Sequence, residues 1–168
     1  MTFHVGDTVI YPHHGAAVIE KVETRHLRGE ARDYFVLRLT YGDLTVMVPS
    51  DSLEECGVRN VVSKKEVEKV LEVLRQPEGK QAGNWSRRFK ANYEKLRSGD
   101  IYLVAEVVRN LATRDKEKGL SAGEKRMLSK AKQILLSELA VAIKKDEEKA
   151  EELVNQTLAE AQLAEAQS

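Results

Sequence analysis

The hydrophobic pattern of this chain changes its period once, near residue 63, and that change limits what the chain can fold into. Before this point apolar and polar residues alternate over short runs that glycine and proline interrupt, which is typical of β-strands. After it, apolar residues recur at spacings of three and four, which is typical of amphipathic helices. The pattern predicts an α+β protein, with a β-domain followed by an all-α helical bundle.

The first 53 residues are expected to form a small antiparallel β-barrel. Strands are predicted at 3–11, 17–23, 32–41 and 44–48, the first of them interrupted at Gly6-Asp7, and Gly42-Asp43 predicts a tight hairpin. Short strands without intervening helices leave edges that closure into a barrel protects. We therefore predict a barrel at 1–53, a linker at 54–62 and a helical domain at 63–168.

The helices of the second half are marked by their N-terminal residues. Ser63 and Ser121 are each followed three residues later by glutamate, which is the spacing of a capping box. Asn84 and Asp100 predict two further N-caps. A fifth helix is expected from 146 to about 161, giving a bundle of about five helices.

The distribution of charge along the chain favours one basic surface. The whole chain of 168 residues is neutral, with 27 basic and 27 acidic residues. Residues 84–132, however, contain 13 basic and 6 acidic residues, whereas 133–168 contain 3 basic and 8 acidic residues. The positive charge is therefore expected to be concentrated in residues 84–132 of the helical domain, and the acidic residues of 133–168 offset most of it in the net charge of the whole chain.

Several classes of protein are excluded by what the sequence lacks. The single cysteine, Cys56, cannot form an internal disulfide, and with no signal peptide it predicts a soluble protein of the cytoplasm. No apolar run has the length of a membrane span. His13 and His14 are neighbours and poorly placed to share a metal ion. No nucleophile elbow, phosphate loop or dinucleotide motif is present, so we expect neither an enzyme nor a cofactor.

The segment beginning at Asn84 carries the most informative chemistry. Trp85, the only tryptophan, opens a helix beside Arg87, Arg88 and Lys90. It is either a buried end cap that packs on the bundle or an exposed wedge of the kind that unstacks a base step from the minor groove while cations hold the phosphates. Its helix continues an apolar face expected in the core, formed by Phe89, Tyr93 and Leu96.

A second basic cluster lies on the helix that Ser121 opens, and consists of Lys125, Arg126, Lys130 and Lys132. Such a run is usually a solvated face, but two clusters in one basic bundle favour phosphate binding. Since charge carries no base information, we predict weak sequence preference and steep salt dependence. The arginines of the β-domain are interspersed with acids, which favours a protein-binding role in which a partner adds a strand to the sheet.

Four motifs occur in order along the chain: Val5-Gly-Asp-Thr-Val-Ile-Tyr-Pro-His-His-Gly-Ala-Ala, Leu44-Thr-Val-Met-Val-Pro, Asn84-Trp-Ser-Arg-Arg-Phe-Lys-Ala-Asn and Gly119-Leu-Ser-Ala-Gly-Glu-Lys-Arg-Met-Leu. Taken together they resemble the CarD/CdnL family of bacterial RNA polymerase-binding transcription regulators in its actinobacterial form. The resemblance covers nearly the whole chain and weakens beyond about residue 142.

The resemblance implies a Tudor-like barrel, shared with the transcription-repair coupling factor, that docks on the lobe of the RNA polymerase β subunit. Arg25, Leu27 and Met47 fall in its polymerase-facing part, although relatives carry arginine at the position of Met47. The helical domain is implied to contact promoter DNA at the upstream edge of the bubble. There the tryptophan matching Trp85 wedges into the minor groove, and Arg87, Arg88, Lys90 and Lys125 lie on the basic surface, to which the charge pattern adds Arg126.

The combined interpretation is a non-enzymatic transcription regulator that stabilises the open complex of the housekeeping sigma holoenzyme. The β-domain recruits the protein to RNA polymerase. The bundle holds melted DNA because it binds the open promoter complex more tightly than the closed one. The alternative is an adaptor that docks on a polymerase or ribosome through its barrel, with a basic face that is merely solvated. The expected partners are RNA polymerase and promoter DNA, without a membrane or a metal.

Overall fold

A computed structural model describes residues 2–78 and 83–166 of the chain and confirms the predicted α+β class. Four strands and then a short fifth form one sheet, and five helices follow in sequence. The strands are β1 (Thr8–Tyr11), β2 (Gly15–Leu27), β3 (Glu30–Leu39), β4 (Thr45–Pro49) and β5 (Arg59–Asn60). The helices are α1 (Lys64–Arg75), α2 (Trp85–Arg97), α3 (Ile101–Glu117), α4 (Ala122–Ile143) and α5 (Glu147–Ala166).

The sheet is antiparallel throughout and has the strand order β4-β3-β2-β1-β5. β2 runs to Leu27, four residues beyond the predicted strand, because its ladder with β3 continues to the Leu27–Glu30 pair. Arg28 and Gly29 close that hairpin with positive φ angles of 53° and 82°. β5 lies within the segment 54–62 and pairs with β1. Because the pairings end at β4 and β5, closure into a barrel stays a prediction.

All four predicted helix starts are confirmed by their cap geometry. Ser63 and Ser121 each form a complete capping box, with Glu66 and Glu124 reaching back to the cap N–H. The Asn84 side chain accepts from the N–H of Arg87, and that of Asp100 accepts from the first turn of α3. The last helix, α5, extends to Ala166 and is longer than predicted. Pro77, Gly79 and Gly83 predict a loop over 76–83, and this segment lies partly outside the described residues, which resume at residue 83.

Two hydrophobic cores form, one in each half of the chain. The sheet buries a small cluster that includes Val9, Ile19 and Leu37, and the helices bury a larger one around Leu74, Leu111 and Leu135. Burial of these side chains supplies the main stabilisation of each half.

The two halves are joined by a buried ion pair and by a close backbone approach. Arg59 of β5 binds Glu138 of α4 through two hydrogen bonds of 2.7 Å, and Glu138 is only 2% exposed. Its carboxylate also accepts from the N–H of Val62 at 2.9 Å. At Gly15 an added Cβ would lie 2.5 Å from Ser137 Oγ, so only glycine allows β2 to approach α4 this closely.

Candidate nucleic-acid interface

Helix α2 is fixed to the bundle by its inner face, which leaves its other sides to solvent. Leu96 is buried in the helical core, and the buried Asn92 accepts a hydrogen bond of 3.4 Å from Asn110 of α3. On the side of α2 toward α3, Lys95 forms an ion pair with Glu106 at 3.3 Å. The anchoring holds the first turn of α2, where Trp85 lies, in one orientation.

Trp85 is held at the surface of the bundle and is not buried in it. Its ring stacks on Phe89, with centroids 4.9 Å apart and planes inclined by 21°, and the residue stays 44% exposed. Gly123 of α4 lies against both rings, since an added Cβ there would be 3.4 Å from Phe89 and 4.0 Å from Trp85. One face of the indole is therefore supported while nearly half of the residue remains accessible.

Glu124 holds the polar edge of the indole. Its carboxylate accepts a hydrogen bond from the Trp85 side chain in addition to those from Ser121. Burial by itself raises the pKa of Glu124, but the hydrogen bonds of Ser121 and Trp85 and the charge of Arg114, 3.5 Å away, outweigh it and lower the pKa. At neutral pH this carboxylate is ionised and places a negative charge at the polar edge of the indole.

Four of the cations expected near Trp85 have no ion-pair partner among the described residues. Arg87, Lys90, Lys125 and Arg126 are exposed, and none of them forms an ion pair with a carboxylate in the ranges 2–78 and 83–166. Exposed cations without an internal partner are free to neutralise an external anion.

The cations near Trp85 do not all lie on its side of the helices. Arg87 and Lys90 are three residues apart on α2 and therefore neighbours on its surface, but Arg87 follows Trp85 by two residues, so the pair projects from the side of α2 away from the indole. Arg126 lies one turn beyond Gly123 on α4, whereas Lys125 follows Gly123 by two residues and projects from the opposite side of that helix. We call Trp85 together with the unpaired cations on the exposed sides of the same two helices, Arg87, Lys90 and Arg126, the tryptophan face.

Arg88 follows Trp85 by three residues and therefore lies on the same side of α2. It is half-buried, and its charge acts on Glu78 together with those of Arg109 and Arg114, which belong to α3. Its Nε is buried and has no hydrogen-bond partner among the described residues. Its surroundings therefore differ from those of Arg87, the neighbour with which the sequence groups it.

Tyr93 was expected in the core, and this prediction is wrong. Tyr93 is 40% exposed, although the other two members of its predicted stripe behave as expected, Leu96 being buried and Phe89 half-buried. Its ring lies at the edge of the bundle, under the guanidinium of Arg97 at 5.6 Å and beside the ring of His13 at 6.1 Å. The spacing of Lys90, Tyr93 and Arg97 along α2 is the signal that places them in one exposed stripe.

The three residues expected to face the polymerase lie on the sheet but not in one cluster. Arg25 and Leu27 are exposed near the end of the β2–β3 hairpin, whereas Met47 is half-buried in β4, opposite Val36. Val36 in turn pairs with Lys21 of β2, so Met47 and Lys21 lie at the same position along the sheet. Arg25 is four residues further along β2, which is about 13 Å from that position. Among the described strands β4 pairs with β3 alone, so its outer edge is unpaired.

Other kinds of site find no support in the described part of the chain. No group of three or more metal-ligating side chains converges within it, and Cys56 is exposed. None of its helices combines the length and the apolar character that a membrane span requires.

Comparison with known proteins confirms the resemblance to the family. Residues 3–62 match the model of the CarD-like/TRCF RID domain, and residues 69–155 match that of the CarD C-terminal domain. The chain is 37% identical over 139 residues to the "Putative transcription factor YdeB" of Bacillus subtilis (strain 168), an alignment that covers 83% of this chain and 91% of that protein. The chain therefore belongs to the CarD family of transcription factors, which are not enzymes, and its N-terminal domain is the RNA polymerase-interacting domain of that family.

Proposed function

We propose that this protein stabilises the promoter open complex, with its sheet docked on the RNA polymerase β subunit and its tryptophan face on DNA at the upstream edge of the bubble. In this proposal residues 1–53 recruit the protein to the polymerase, and 63–168 form the DNA-binding domain. Trp85 enters the minor groove as a wedge, and the surrounding cations hold the backbone phosphates.

The observation that carries the proposal is the combination of exposure and fixation at Trp85. A wedge has to be accessible, and it has to keep its orientation while it replaces base stacking that costs a few kcal/mol to disrupt. The ring is 44% exposed, and it is held by Phe89 on one face and by Glu124 at its N–H. The free cations Arg87 and Lys90, on the other exposed side of the same helix, supply attraction to phosphate.

Docking on the polymerase is proposed for the β4 edge and the β2–β3 hairpin. The unpaired edge of β4 can take a strand of the partner through main-chain hydrogen bonds. Met47 lies on that strand, and Arg25 with Leu27, which is 65% exposed, lies further along the hairpin. Tethering by the polymerase raises the local DNA concentration, so the DNA affinity of the bundle itself can be weak. Arg88 and Lys125 contribute phosphate contacts on neighbouring sides of the bundle.

The deciding experiment measures how long an open complex survives competitor challenge with housekeeping holoenzyme and this protein. Trp85→Ala is expected to reduce the lifetime at least several-fold toward that without the protein, because the wedge is lost. The control is Leu163→Ala, which removes another exposed apolar side chain, on α5. If a folded Trp85→Ala protein supports the same open-complex lifetime as the unsubstituted protein, the proposal that Trp85 acts as a wedge is wrong.

A further inference from the structure

A second cationic cluster lies where the sheet meets the helices, and we call it the junction patch. Its members come from three segments of the chain: His13 and His14 from the β1–β2 turn, Tyr93 and Arg97 from α2, and Lys130 from α4. The ring of His13 lies 5.6 Å from that of His14 and 6.1 Å from that of Tyr93. Only the packing of the two halves brings these side chains together.

The charged groups that act on the two histidines are cationic. Burial lowers the pKa of both imidazoles, and the charge of Lys130 lowers it further, with His14 and Arg97 adding to the effect on His13. Neither Arg97 nor Lys130 forms an ion pair within the described part of the chain. Such a concentration of positive charge is unfavourable for the free protein and favourable for an anion.

The other groups around the histidines leave this charge uncompensated. The Arg59–Glu138 pair lines a small cavity beside His13, but its two charges are bonded to each other. His14 packs against the ring of Tyr11 at 5.2 Å. On its other side, His14 lines a groove of about 430 Å³ together with Tyr41 and Lys130.

The patch also offers a hydrogen-bonding atom without a partner. Nδ1 of His13 is buried and has no hydrogen-bond partner in residues 2–78 and 83–166. A buried polar atom of this kind is costly unless a ligand or water satisfies it.

We propose that the junction patch binds a backbone phosphate of the same DNA duplex whose melted end the tryptophan face holds. This inference rests on the proposed function and extends its DNA contact onto the β-domain. Trp85 and Arg97 are twelve residues apart on α2, which is about 18 Å along the helix axis. That length corresponds to about five phosphates of one strand, so the contact falls on paired DNA beyond the melted end.

Binding of a phosphate here takes up protons. The anion stabilises the imidazolium form of His13 and His14, which the cations of the free protein disfavour. The histidines therefore become protonated on binding, and DNA affinity rises as the pH falls through their DNA-bound pKa values. The contact gives the proposed function a dependence on pH.

The test uses forked DNA, a duplex with one melted end, and compares its affinity for the full chain at pH 8 and pH 6. The unsubstituted protein is expected to bind at least about threefold more tightly at pH 6. His13→Asn/His14→Asn removes most of this gain, and asparagine tolerates the φ of 70° at position 13. The matched control, His4→Asn/His26→Asn, replaces the other two histidines of the chain and keeps the gain.

Two further measurements keep the result independent of folding defects. Lys130→Gln, which leaves both histidines in place, is expected to weaken binding several-fold. A fork whose paired arm ends about three base pairs from the melted end lacks the phosphate and is expected to bind all these proteins alike. Retention of the pH gain by His13→Asn/His14→Asn overturns the inference, as does full affinity of Lys130→Gln on the long fork.

Failure of this inference is distinguishable from failure of the proposed function. If Trp85→Ala loses binding to forked DNA while the junction variants keep it, the wedge stands and the junction contact is wrong. If the junction variants lose the pH gain while Trp85→Ala holds the open complex like the unsubstituted protein, the phosphate contact stands and the wedge is wrong.

Discussion

The sheet and the tryptophan face differ in what their cations touch. Every arginine of β2 and β3 is paired with a nearby acid: Arg25 with Glu23 at 3.5 Å, Arg32 with Asp51 at 3.2 Å and Arg38 with Glu20 at 2.7 Å. On the tryptophan face, Arg87, Lys90 and Arg126 have no such partner among the described residues. The two regions therefore differ in how readily their cations can bind an external anion, although both contain several arginines.

This difference shows why a neutral total charge says little about nucleic-acid binding. A cation that is already paired has to give up its carboxylate before it binds a phosphate, so it gains little from the exchange. An unpaired cation releases the counterions of the phosphate at no such cost. The pairing of each charge, more than the count of charges, separates a protein-binding surface from a DNA-binding one.

The largest expected effect comes from removing the free cations. Arg87→Gln/Lys90→Gln/Arg126→Gln is expected to weaken binding to forked DNA on the order of 100-fold at about 0.1 M salt. The slope of log affinity against log salt concentration is expected to fall by about three, because each phosphate contact contributes close to one. Fluorescence anisotropy over a salt series measures both quantities.

The matched control removes the same number of cations from the sheet. Arg25→Gln/Arg32→Gln/Arg38→Gln is expected to leave the salt slope of DNA binding unchanged and to weaken binding to the polymerase β subunit, where Arg25 is proposed to dock. Equal losses of DNA affinity in the two triple variants would abolish the distinction between the regions.

The next largest effect tests how the two regions are joined. Glu138→Gln leaves Arg59 opposite a neutral amide in a largely buried site and is expected to lower the free energy of unfolding by about 2 kcal/mol. Urea denaturation at pH 7 measures the change. Glu72→Gln is the control, since its pair with Arg75 is exposed and is expected to contribute at most about 0.5 kcal/mol. A Glu138→Gln protein as stable as the control would contradict a structural role for the buried pair.

Local signals predicted the elements of the fold better than the surfaces built from them. Ser63 and Ser121 mark helix starts because a capping box is made by residues three apart in sequence. Tyr93 was misplaced because its helical period is that of a core residue, and only the position of the β-domain shows that it lies at the edge of the bundle. β5 was not predicted because a strand of two residues is too short to show an alternation of apolar and polar residues.

The candidate site was predictable in part for the same reason. Trp85 among arginines is visible in the sequence, but its exposure depends on Phe89 and on Gly123 of another helix. The junction patch had no signal at all, because His13 and Lys130 meet only through the packing of the β1–β2 turn on α4. Long-range packing decides which charges share a surface. The hydrophobic periodicity of a single sequence predicts helices and strands but not how they pack together.

The smallest expected effect concerns Glu124, the acid that touches the tryptophan face. Because the pKa of Glu124 is lowered in the folded protein, its ionised form stabilises the fold above its ordinary pKa of 4.5, and this contribution is lost as the pH falls through the lowered value. Glu124→Gln keeps the reach of the capping side chain but loses the charge. It is expected to cost less than about 1 kcal/mol at pH 7 and to remove this part of the acid sensitivity.

Tryptophan fluorescence isolates the effect, since Trp85 is the only tryptophan of the chain. In the unsubstituted protein its emission is expected to change at a pH below 4.5, when the carboxylate that accepts its N–H becomes protonated. Glu124→Gln abolishes that transition. Glu66→Gln, which alters the equivalent capping box of α1, preserves it because Glu66 caps a different helix. A Glu124→Gln protein that keeps the original transition would show that Glu124 does not interact with the indole. The tryptophan face would then differ from the sheet by its unpaired cations alone, without any contribution from a carboxylate beside Trp85.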